Sequence, residues 1–431
     1  MRRTAEKALV PPIAVLFGLN LVDELDRLAF AALTPELRDA FSLSDSQIVG
    51  IGALAGLFIM LGALPVGWLG DRYPRMRIVV LMALLWSAMS VLTALAWAVW
   101  VLVVARALSG IARTSSEVVH PSLIVDYYET VEQPRAFRIH RLAAPISTTF
   151  ALVIGGLGAL VGWRWTFALV AVPTWFLVLA ATSVREPPRT ARGRILPSDG
   201  ADAGSGGGAP GVWSVLAQAL RIRTLRRLWL SAFLLGGTFI ANTQLLSLFF
   251  EREHGFGAFG RGTVQGLYGL GMVVGILVGA RIATRIVFRD DWGRLTLLIG
   301  SGVAVMSLAL LLLSVTPWAP LALAECLLLG FGMGSYQPAF YPLLGQVVPG
   351  ETRSRTFGWT LLVTGLGAGL AVPLARVGEV TSYRVTFGVL AGCVLAGALV
   401  IASARRSAAG DITAARERSV GPGTAAASPS V

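Results

Sequence analysis

Four ionisable side chains stand close together in an otherwise apolar stretch near the start of the chain. The run "LVDELDRLAF", residues 21–30, holds Asp23, Glu24, Asp26 and Arg27. At about 100° per residue these four fall on one half of a helix, and leucine and valine fill the other half. Arg27 can pair with Asp23 or Glu24. The carboxylates are in excess, so one of them should bind a proton readily.

A second polar stripe lies in another apolar stretch. Four side chains share one helical face within about 80° of arc: Arg106, Arg113, Glu117 and His120. Over the two stripes four acids (Asp23, Glu24, Asp26, Glu117) face three arginines (Arg27, Arg106, Arg113). A nearly neutral cluster that takes up one proton suits proton-coupled exchange. The alternatives are a lattice of ion pairs that only holds helices together and, for His120, an ordinary packed histidine.

Composition defines the class of protein in which these charges sit. Hydrophobic residues make up 55% of the 431 residues, and the mean hydropathy is +0.70. Both values are far outside the soluble range, so we predict a polytopic membrane protein. A charge at the centre of a membrane helix costs about 2.5–3.5 kcal/mol. Both polar stripes must therefore face protein or a water-filled cavity.

Apolar windows of about 20 residues predict twelve membrane spans, which begin near Pro11, Gln47, Ile78, Val101, Leu142, Trp165, Leu228, Thr263, Leu295, Leu321, Phe357 and Val385. With the N-terminus inside, the inner segments hold 27 of the 36 lysines and arginines and the outer loops hold 6. This asymmetry predicts a multi-pass protein with both termini in the cytoplasm. The preference for arginine over lysine indicates a GC-rich bacterial source, hence the cell (inner) membrane.

Several function classes find no support in the sequence. The net charge of +12 comes from arginines scattered among short loops rather than gathered on one face, so attraction to anionic lipid explains it and no nucleic-acid partner is expected. Cys326 and Cys393 lie in apolar spans and indicate neither a disulfide nor a metal site. Lys7 is the single lysine and lies outside any Gly-rich loop, so no P-loop is present. We expect no enzyme activity, no catalytic residue, no metal and no cofactor.

The two halves of the chain repeat one another at an offset of 220 residues. "GWRWTF" at 162–167 returns as "SYRVTF" at 382–387, and the same offset relates Gly110 to Gly330, Arg135 to Arg355 and Phe137 to Phe357. Duplicated halves around a midplane site are typical of secondary transporters. We predict two six-helix bundles (1–184 and 228–404), a cytoplasmic linker with an interfacial helix (185–227) and a disordered cytoplasmic tail (405–431).

Three motifs resemble landmarks of the major facilitator superfamily: "GWLGDRYPRMR" (67–77), "RALSG" (106–110) and "GWRWTF". Pro74 stands where that loop pattern usually has glycine. The resemblance implies an all-α polytopic fold of twelve transmembrane helices in two pseudo-symmetric six-helix halves. It also implies a cytoplasmic gate at Gly67, Asp71, Arg72, Arg75 and Asp126. In that gate Asp71, Arg72 and Asp126 form a charge network that latches the halves against span eleven when the carrier faces outward.

A narrower resemblance covers residues 20 to about 145. "DELDR", "ALTPELRDAFSLSDSQ", "GWLGDRYPR" and "HPSLIVDYY" are similar to the spinster-like branch, whose members carry lysophospholipids, sphingosine phosphate or similar amphiphiles. That branch has asparagine where this chain has Asp23, and glutamate where this chain has Arg113. Glu117 lies one turn beyond that second position. Either Glu117 replaces the glutamate of that branch, or the coupling in this chain differs from that of the branch.

The second half offers uncharged polar and aromatic residues at the matching spans, in "ANTQ" (241–244) and "YQPAFYP" (336–342). The candidates for a substrate wall are Asn242, Gln244, Tyr336, Gln337, Phe340 and Tyr341, with ordinary helix packing as the alternative. A charged headgroup site in one half and an aromatic wall in the other suit an amphiphile.

The sequence therefore predicts a monomeric secondary active transporter that works by alternating access, coupled to protons, for an amphipathic lipid-like or drug-like organic molecule. One alternative is a hydrophilic solute or metabolite carrier. Another is a membrane regulator that binds a ligand without moving it. The sequence leaves the substrate, the direction of transport and the acid that carries the proton undetermined.

Overall fold

The computed structural model describes residues 11–43, 45–186, 190–191, 194–195, 212–240, 245–256, 258–368, 377 and 381–420. The helices in chain order are α1 Pro12–Ala32, α2 Thr34–Ala40, α3 Asp45–Arg72, α4 Arg75–Ala94, α5 Val99–Tyr127, α6 Gln133–Arg141, α7 Ala143–Thr149, α8 Ala151–Thr182, α9 Val212–Arg221, α10 Arg223–Ile240, α11 Leu246–His254, α12 Ala258–Phe288, α13 Trp292–Val315, α14 Ala319–Val347, α15 Arg353–Ala368, α16 Tyr383–Ser403 and α17 Ala408–Val420. Two-residue strands, β1 Thr190–Ala191 and β2 Arg194–Ile195, pair antiparallel. Single 3₁₀ turns cover Gly350–Thr352 and Ala404–Arg406.

The predicted all-helical membrane fold is confirmed. Helical segments begin within five residues of each predicted span start, provided that α8 is divided at Gly162, whose φ of 81° breaks the helix. Within the described residues, seven helices are long and apolar enough to cross a membrane by length and composition. Helix α1 is not among these seven because its sequence includes the four charges at residues 23–27.

The helices form two groups, one in each half of the chain. Helices α1, α3, α4, α5 and α8 pack together in the first half, and α10 and α12–α16 pack together in the second. Across the halves α3 and α5 lie against α15, while α6 lies against α12 and α14. We call the end of the bundle where α3 stops and α4 starts the Asp71 end.

Equivalent hydrogen bonds relate the halves at the offset of 220. Arg164 donates from Nη1 to the carbonyl oxygen of Ala96 at 2.8 Å, and Arg384 donates from Nη1 to that of Thr316 at the same distance. Two serine hydroxyls repeat in the same register: Ser87 donates to Ala171 O and Ser307 donates to Ala391 O. Each arginine binds a carbonyl just past a helix C-terminus, where a positive charge is favourable. The repeat is therefore structural.

The prediction of a disordered tail from Arg405 is wrong for residues 408–420, which form α17. Ala408, Ile412 and Ala415 are buried, and their spacing of four and three residues places them on one helical face. The composition of the tail hid this short amphipathic pattern. Residues 421–431 and the linker centre 198–211 lie outside the described residues. The expected interfacial helix of the linker corresponds to α9, which packs against α10 and α15.

Close helix packing in the second half predicts the effect of a small substitution. A Cβ at Gly330 of α14 would collide with the carbonyl oxygen of Tyr268 of α12. We expect Gly330→Ala to lower the unfolding free energy by about 1–3 kcal/mol, because backbone atoms cannot rotate away from the added methyl group. Tryptophan fluorescence during thermal unfolding of the purified protein measures the change.

Gly392→Ala is the matched control, since a Cβ at Gly392 meets nothing within 4 Å and alanine favours a helix. Equal unfolding midpoints for the two variants would contradict the packing argument.

Candidate functional site

The charged residues of the candidate site form three layers of ion pairs. The first layer, around Asp26 and Arg106, is shielded from solvent. Asp26 of α1 accepts hydrogen bonds from Ser90 Oγ at 2.7 Å and from Arg106 Nη1 of α5 at 3.1 Å. The guanidinium carbon of Arg106 lies 5.2 and 5.6 Å from the ring centroids of Phe30 and Phe167. Both partners of the ion pair are buried. Paired charges with aromatic neighbours join α1, α4 and α5 here, because an unpaired charge at this depth would be costly.

The second layer pairs the two positions at which the chain departs from the spinster-like pattern. Nε of Arg113 lies 3.1 Å from Oδ1 of Asp23, and both side chains are buried. Arg27 pairs with Glu24 at 2.7 Å rather than with Asp23, and 57% of the Arg27 side chain is exposed. The two departures are therefore complementary: an acid on α1 meets a base on α5.

The third layer joins the two halves. Arg141 Nη1 lies 3.1 Å from both carboxylate oxygens of Glu117. Tyr341 of α14 donates from its hydroxyl to Glu117 at 3.4 Å, and its ring centroid lies 4.1 Å from the Arg141 guanidinium carbon. Glu117 keeps 33% of its side-chain surface exposed. A charged pair of the first half thus meets an aromatic ring of the second half at a place that remains accessible.

The Arg141 side chain, one residue before the predicted start of span five, is mostly buried in the bundle, with 10% of its surface exposed. Span five was expected to begin at Leu142, but α6 begins at Gln133 and continues into α7 after Leu142. Asn20 donates to the carbonyl oxygen of His140 at 3.0 Å, which fixes this helix inside the bundle. Arg141 therefore becomes a fourth arginine of the cluster, and four acids face four arginines. The predicted excess of negative charge is absent.

His120 faces another histidine. His120 Nδ1 lies 3.2 Å from Nε2 of His140, with the two rings nearly perpendicular and both side chains buried. This pair joins α5 to α6 beside the Glu117–Arg141 layer. The contact matches the packed-histidine alternative.

Most of the predicted substrate wall lies together on α14. Phe340 packs edge-on against Tyr336 and Tyr341, with ring centroids 6.2 and 5.4 Å apart. Phe137 of α6 stacks on Tyr341 at 5.3 Å. Gln337 is buried and donates to the carbonyl oxygen of Met333 at 3.3 Å. The other two predicted wall residues, Asn242 and Gln244, lie outside the described residues.

At the Asp71 end, Asp71 binds the start of α15, which is span eleven. Its carboxylate accepts from the backbone N–H groups of Ser354 and Arg355 at 2.9 and 3.0 Å, and from Arg355 Nε at 2.7 Å. A carboxylate at a helix N-terminus is favoured by the helix dipole. Gly67 allows this approach, because a Cβ there would lie 3.0 Å from Ser354 O.

Asp126 binds two arginines from different halves. Arg75 of α4 and Arg353 of α15 both form ion pairs with its carboxylate, and Arg75 also donates to the carbonyl oxygen of Gly350 at 3.0 Å. Arg72, predicted as a member of this network, is exposed and lies over the Trp68 ring at 5.3 Å. Arg75 makes the contacts that were expected of Arg72.

Sequence reasoning missed further ionisable residues. Nothing in the spacing of Arg353 and Arg355 indicates that each has its partner in the other half. Glu325 of α14 is also buried, and its Oε1 accepts from Thr316 Oγ1 at 2.6 Å. A single acid in an apolar span was the available signal.

In the described part of the chain, no group of three or more His, Cys, Asp or Glu side chains is arranged to hold a metal ion.

A sequence profile of the Major Facilitator Superfamily matches residues 16–372 and 290–426. The chain belongs to the major facilitator superfamily. Its N-terminal half is 30% identical over 192 residues to protein spinster homolog 1 of Homo sapiens, covering 42% of this chain. It is 29% identical over 181 residues, 40% of this chain, to the sphingosine-1-phosphate transporter SPNS2 of Danio rerio. Both matches span 35% of the relative's own length.

Solved structures agree with this membership. The human organic anion transporter MFSD10 superposes with a TM-score of 0.74 at 16% identity, covering 91% of this chain and all of that one. The transporter FucP in its outward conformation superposes with a TM-score of 0.70 at 14% identity, covering 93% and 99%. At such identities the likeness concerns the fold. This superfamily member is a multi-pass membrane protein whose relatives are transporters rather than enzymes.

The contacts of Asp71 predict a shift in conformation on neutralising it. Asp71→Asn removes the charge from three hydrogen bonds, and hydrogen bonds to charged groups are worth about 1.5–3 kcal/mol. We expect the population closed at the Asp71 end to fall about 10- to 100-fold relative to the open one. Spin labels at exposed Arg77 and Arg285 report the separation of the halves by pulsed EPR, with Cys326 and Cys393 replaced by alanine.

Asp39→Asn, which neutralises an exposed carboxylate paired with Arg38 at 3.0 Å, is the control and should leave the distances unchanged. An unchanged distribution in Asp71→Asn would mean that this carboxylate does not hold the end closed.

Proposed function

We propose that this superfamily member is a proton-coupled secondary active transporter of an amphipathic organic molecule. It works by alternating access in the cell membrane, with both termini in the cytoplasm. The headgroup binds at the charged layers of α1, α5 and α6, and the apolar part lies along the aromatic wall of α14. The resemblance of the first half to a sphingosine-1-phosphate transporter supports an amphiphile with an anionic headgroup.

The observation that carries this proposal is the contact between Glu117, Arg141 and Tyr341. At this layer a carboxylate and a guanidinium of the first half touch an aromatic ring of the second. A molecule that enters between them meets charge on one side and Tyr336, Phe340 and Tyr341 on the other. Amphiphiles have this division of polarity, whereas a hydrophilic solute would leave the aromatic side unused.

Charge balance supplies a reason for proton coupling. The four carboxylates and four arginines sum to zero, so an anionic headgroup that takes an arginine from its carboxylate adds one negative charge in a poorly screened region. Uptake of one proton by the displaced carboxylate restores neutrality. Glu117 suits this role because it is accessible, whereas Asp26 is sealed and holds helices together.

The contacts at the Asp71 end serve as the cytoplasmic gate in this proposal. Asp71 and Asp126 hold the start of α15 while the opposite side admits substrate. Gly67 and Gly358 let α3 and α15 approach closely, since a Cβ at Gly358 would collide with Ala63 O. Release of these two carboxylates separates the halves at this end.

Glu117→Gln tests the coupling in proteoliposomes. Wild-type flux of a lysophospholipid or sphingosine phosphate should respond to an imposed pH gradient. The variant should lose that response, because an amide cannot take up the proton, and we expect at least a tenfold smaller gradient effect. Radiolabelled substrate measures flux with and without the gradient.

Asp39→Asn, on the surface and away from the cluster, should keep the gradient response. If Glu117→Gln keeps it as well, Glu117 does not carry the proton. Ligand binding without flux in the wild type would favour the regulator. Flux confined to hydrophilic solutes would favour the metabolite carrier.

Two substitutions of Tyr341 distinguish the role of its aromatic ring from the role of its hydroxyl hydrogen bond. Tyr341→Phe keeps the ring over Arg141 and loses only the hydroxyl contact with Glu117. Tyr341→Ala removes the ring and with it the apolar surface offered to the substrate, and burial of such surface contributes about 25 cal/mol per Å². We expect the KM for an amphiphile to rise about 3- to 30-fold in Tyr341→Ala and to change little in Tyr341→Phe. An equal KM in the alanine variant would show that the ring does not contact the substrate.

A further inference from the structure

A basic groove lies at the Asp71 end of the second half, remote from the charged layers. Helices α10, α13 and α16 and the turn Ala404–Arg406 surround two adjoining clefts of about 360 and 430 Å³. Both clefts are lined by Arg227 and Arg406. The tail helix α17 lines the second cleft with Gly410 and Asp411 and packs against α10 and α14. We call these two clefts the tail groove.

The charge of the tail groove is strongly positive. Four arginines line it: Arg223, Arg227, Arg405 and Arg406. Its one acid is Asp411, whose Oδ2 accepts from the backbone N–H of Thr224 at 2.7 Å. Among the described residues no carboxylate forms an ion pair with Arg405 or Arg406, and both are exposed. The groove therefore attracts an anion.

One of the arginines is held in place by the protein itself. Arg227 donates from Nη1 to the carbonyl oxygen of Ser403 at 3.2 Å and to Ser407 Oγ at 3.0 Å. The Ser407 hydroxyl also contacts Thr224 Oγ1 at 2.9 Å. A guanidinium carries five N–H donors in a rigid plane, so the Arg227 side chain is fixed while other donors stay available. Such a fixed fork suits phosphate oxygens.

The wall beside these arginines is apolar and exposed. Leu297 of α13 and Leu399 of α16 line the first cleft, with 39% and 64% of their surface exposed. Both belong to helices long and apolar enough to cross a membrane. A free phosphate would use only the arginines. A phospholipid would use both the arginines and the leucines.

We propose that the tail groove binds one anionic phospholipid of the surrounding bilayer. Its phosphate lies between Arg405, Arg406 and Arg227, and its acyl chains run along Leu297 and Leu399. Basic pockets between membrane helices on the cytoplasmic side suit such headgroups. The lipid joins the start of α10 to the end of α16 and is distinct from the transported molecule.

Titration of the full chain in neutral detergent, followed by native mass spectrometry, tests this site. The probes are phosphatidylglycerol, phosphatidylcholine and water-soluble glycerophosphate. The variant Arg405→Gln/Arg406→Gln removes two exposed charges, and Arg77→Gln/Arg135→Gln removes two exposed charges at the same end of the first half. All four arginines are exposed, and thermal unfolding checks that both variants stay folded.

We expect the wild type and Arg77→Gln/Arg135→Gln to bind phosphatidylglycerol equally. Arg405→Gln/Arg406→Gln should bind it about 30-fold more weakly, which is about 2 kcal/mol at about 1.4 kcal/mol per tenfold and is the size expected for two arginines near an anionic surface. The wild type and both variants should bind phosphatidylcholine with equal affinity. Equal weakening in both variants would overturn the site in favour of diffuse attraction. Displacement of the lipid by glycerophosphate at equal concentration would overturn it in favour of a simple anion site.

Discussion

A charge inside a membrane protein must find an opposite charge within the bundle, and helix α5 imposes this constraint on the whole first half. Its four paired charges are Arg106, Arg113, Glu117 and Asp126. They extend over about 30 Å at about 1.5 Å per residue. Their partners come from α1, α4, α6 and α15. Removing one partner would leave a buried charge unpaired at a cost of about 3–5 kcal/mol, so these helices are held at set heights around α5.

The ion pairs along α5 differ in how far they are shielded from solvent. This difference distinguishes pairs that only hold helices together from pairs that a ligand can reach. Asp26 and Arg106 are enclosed by Ser90 and two aromatic rings, with no surface left for a ligand. Glu117 is partly exposed and shares its partner with an aromatic ring of the other half. At the Asp71 end the pairs cross between the halves. The same kind of interaction thus holds helices together at one height, remains accessible at the next and joins the halves at the last.

Much of this architecture is predictable from the sequence because it depends on periodicity. Apolar windows locate the helices, the 220-residue offset locates the repeat, and 100° spacing brings Asp23 and Arg113 to facing stripes. The sequence does not indicate that Arg141 belongs to the charged cluster, because counting positive charges between spans assigns any arginine near a span end to a loop. Whether such an arginine enters the bundle depends on packing around His140. The pairing of Asp71 with Arg355 joins residues 284 positions apart, and no local pattern encodes it.

The duplicated halves retain their hydrogen-bonded framework but have not kept their charges, and this asymmetry bears on function. At the 220-residue offset the charged and histidine positions of α5 correspond to neutral residues of α14, in the order Cys326, Met333, Gln337, Phe340 and Gln346. Glu117 thus corresponds to Gln337, an amide of the same shape. A carrier with charge in both halves would bind a polar molecule symmetrically. Under the proposed function, charge on α5 and aromatic rings on α14 would fix the orientation of an amphiphile, with its headgroup held by the first half and its tail along the second.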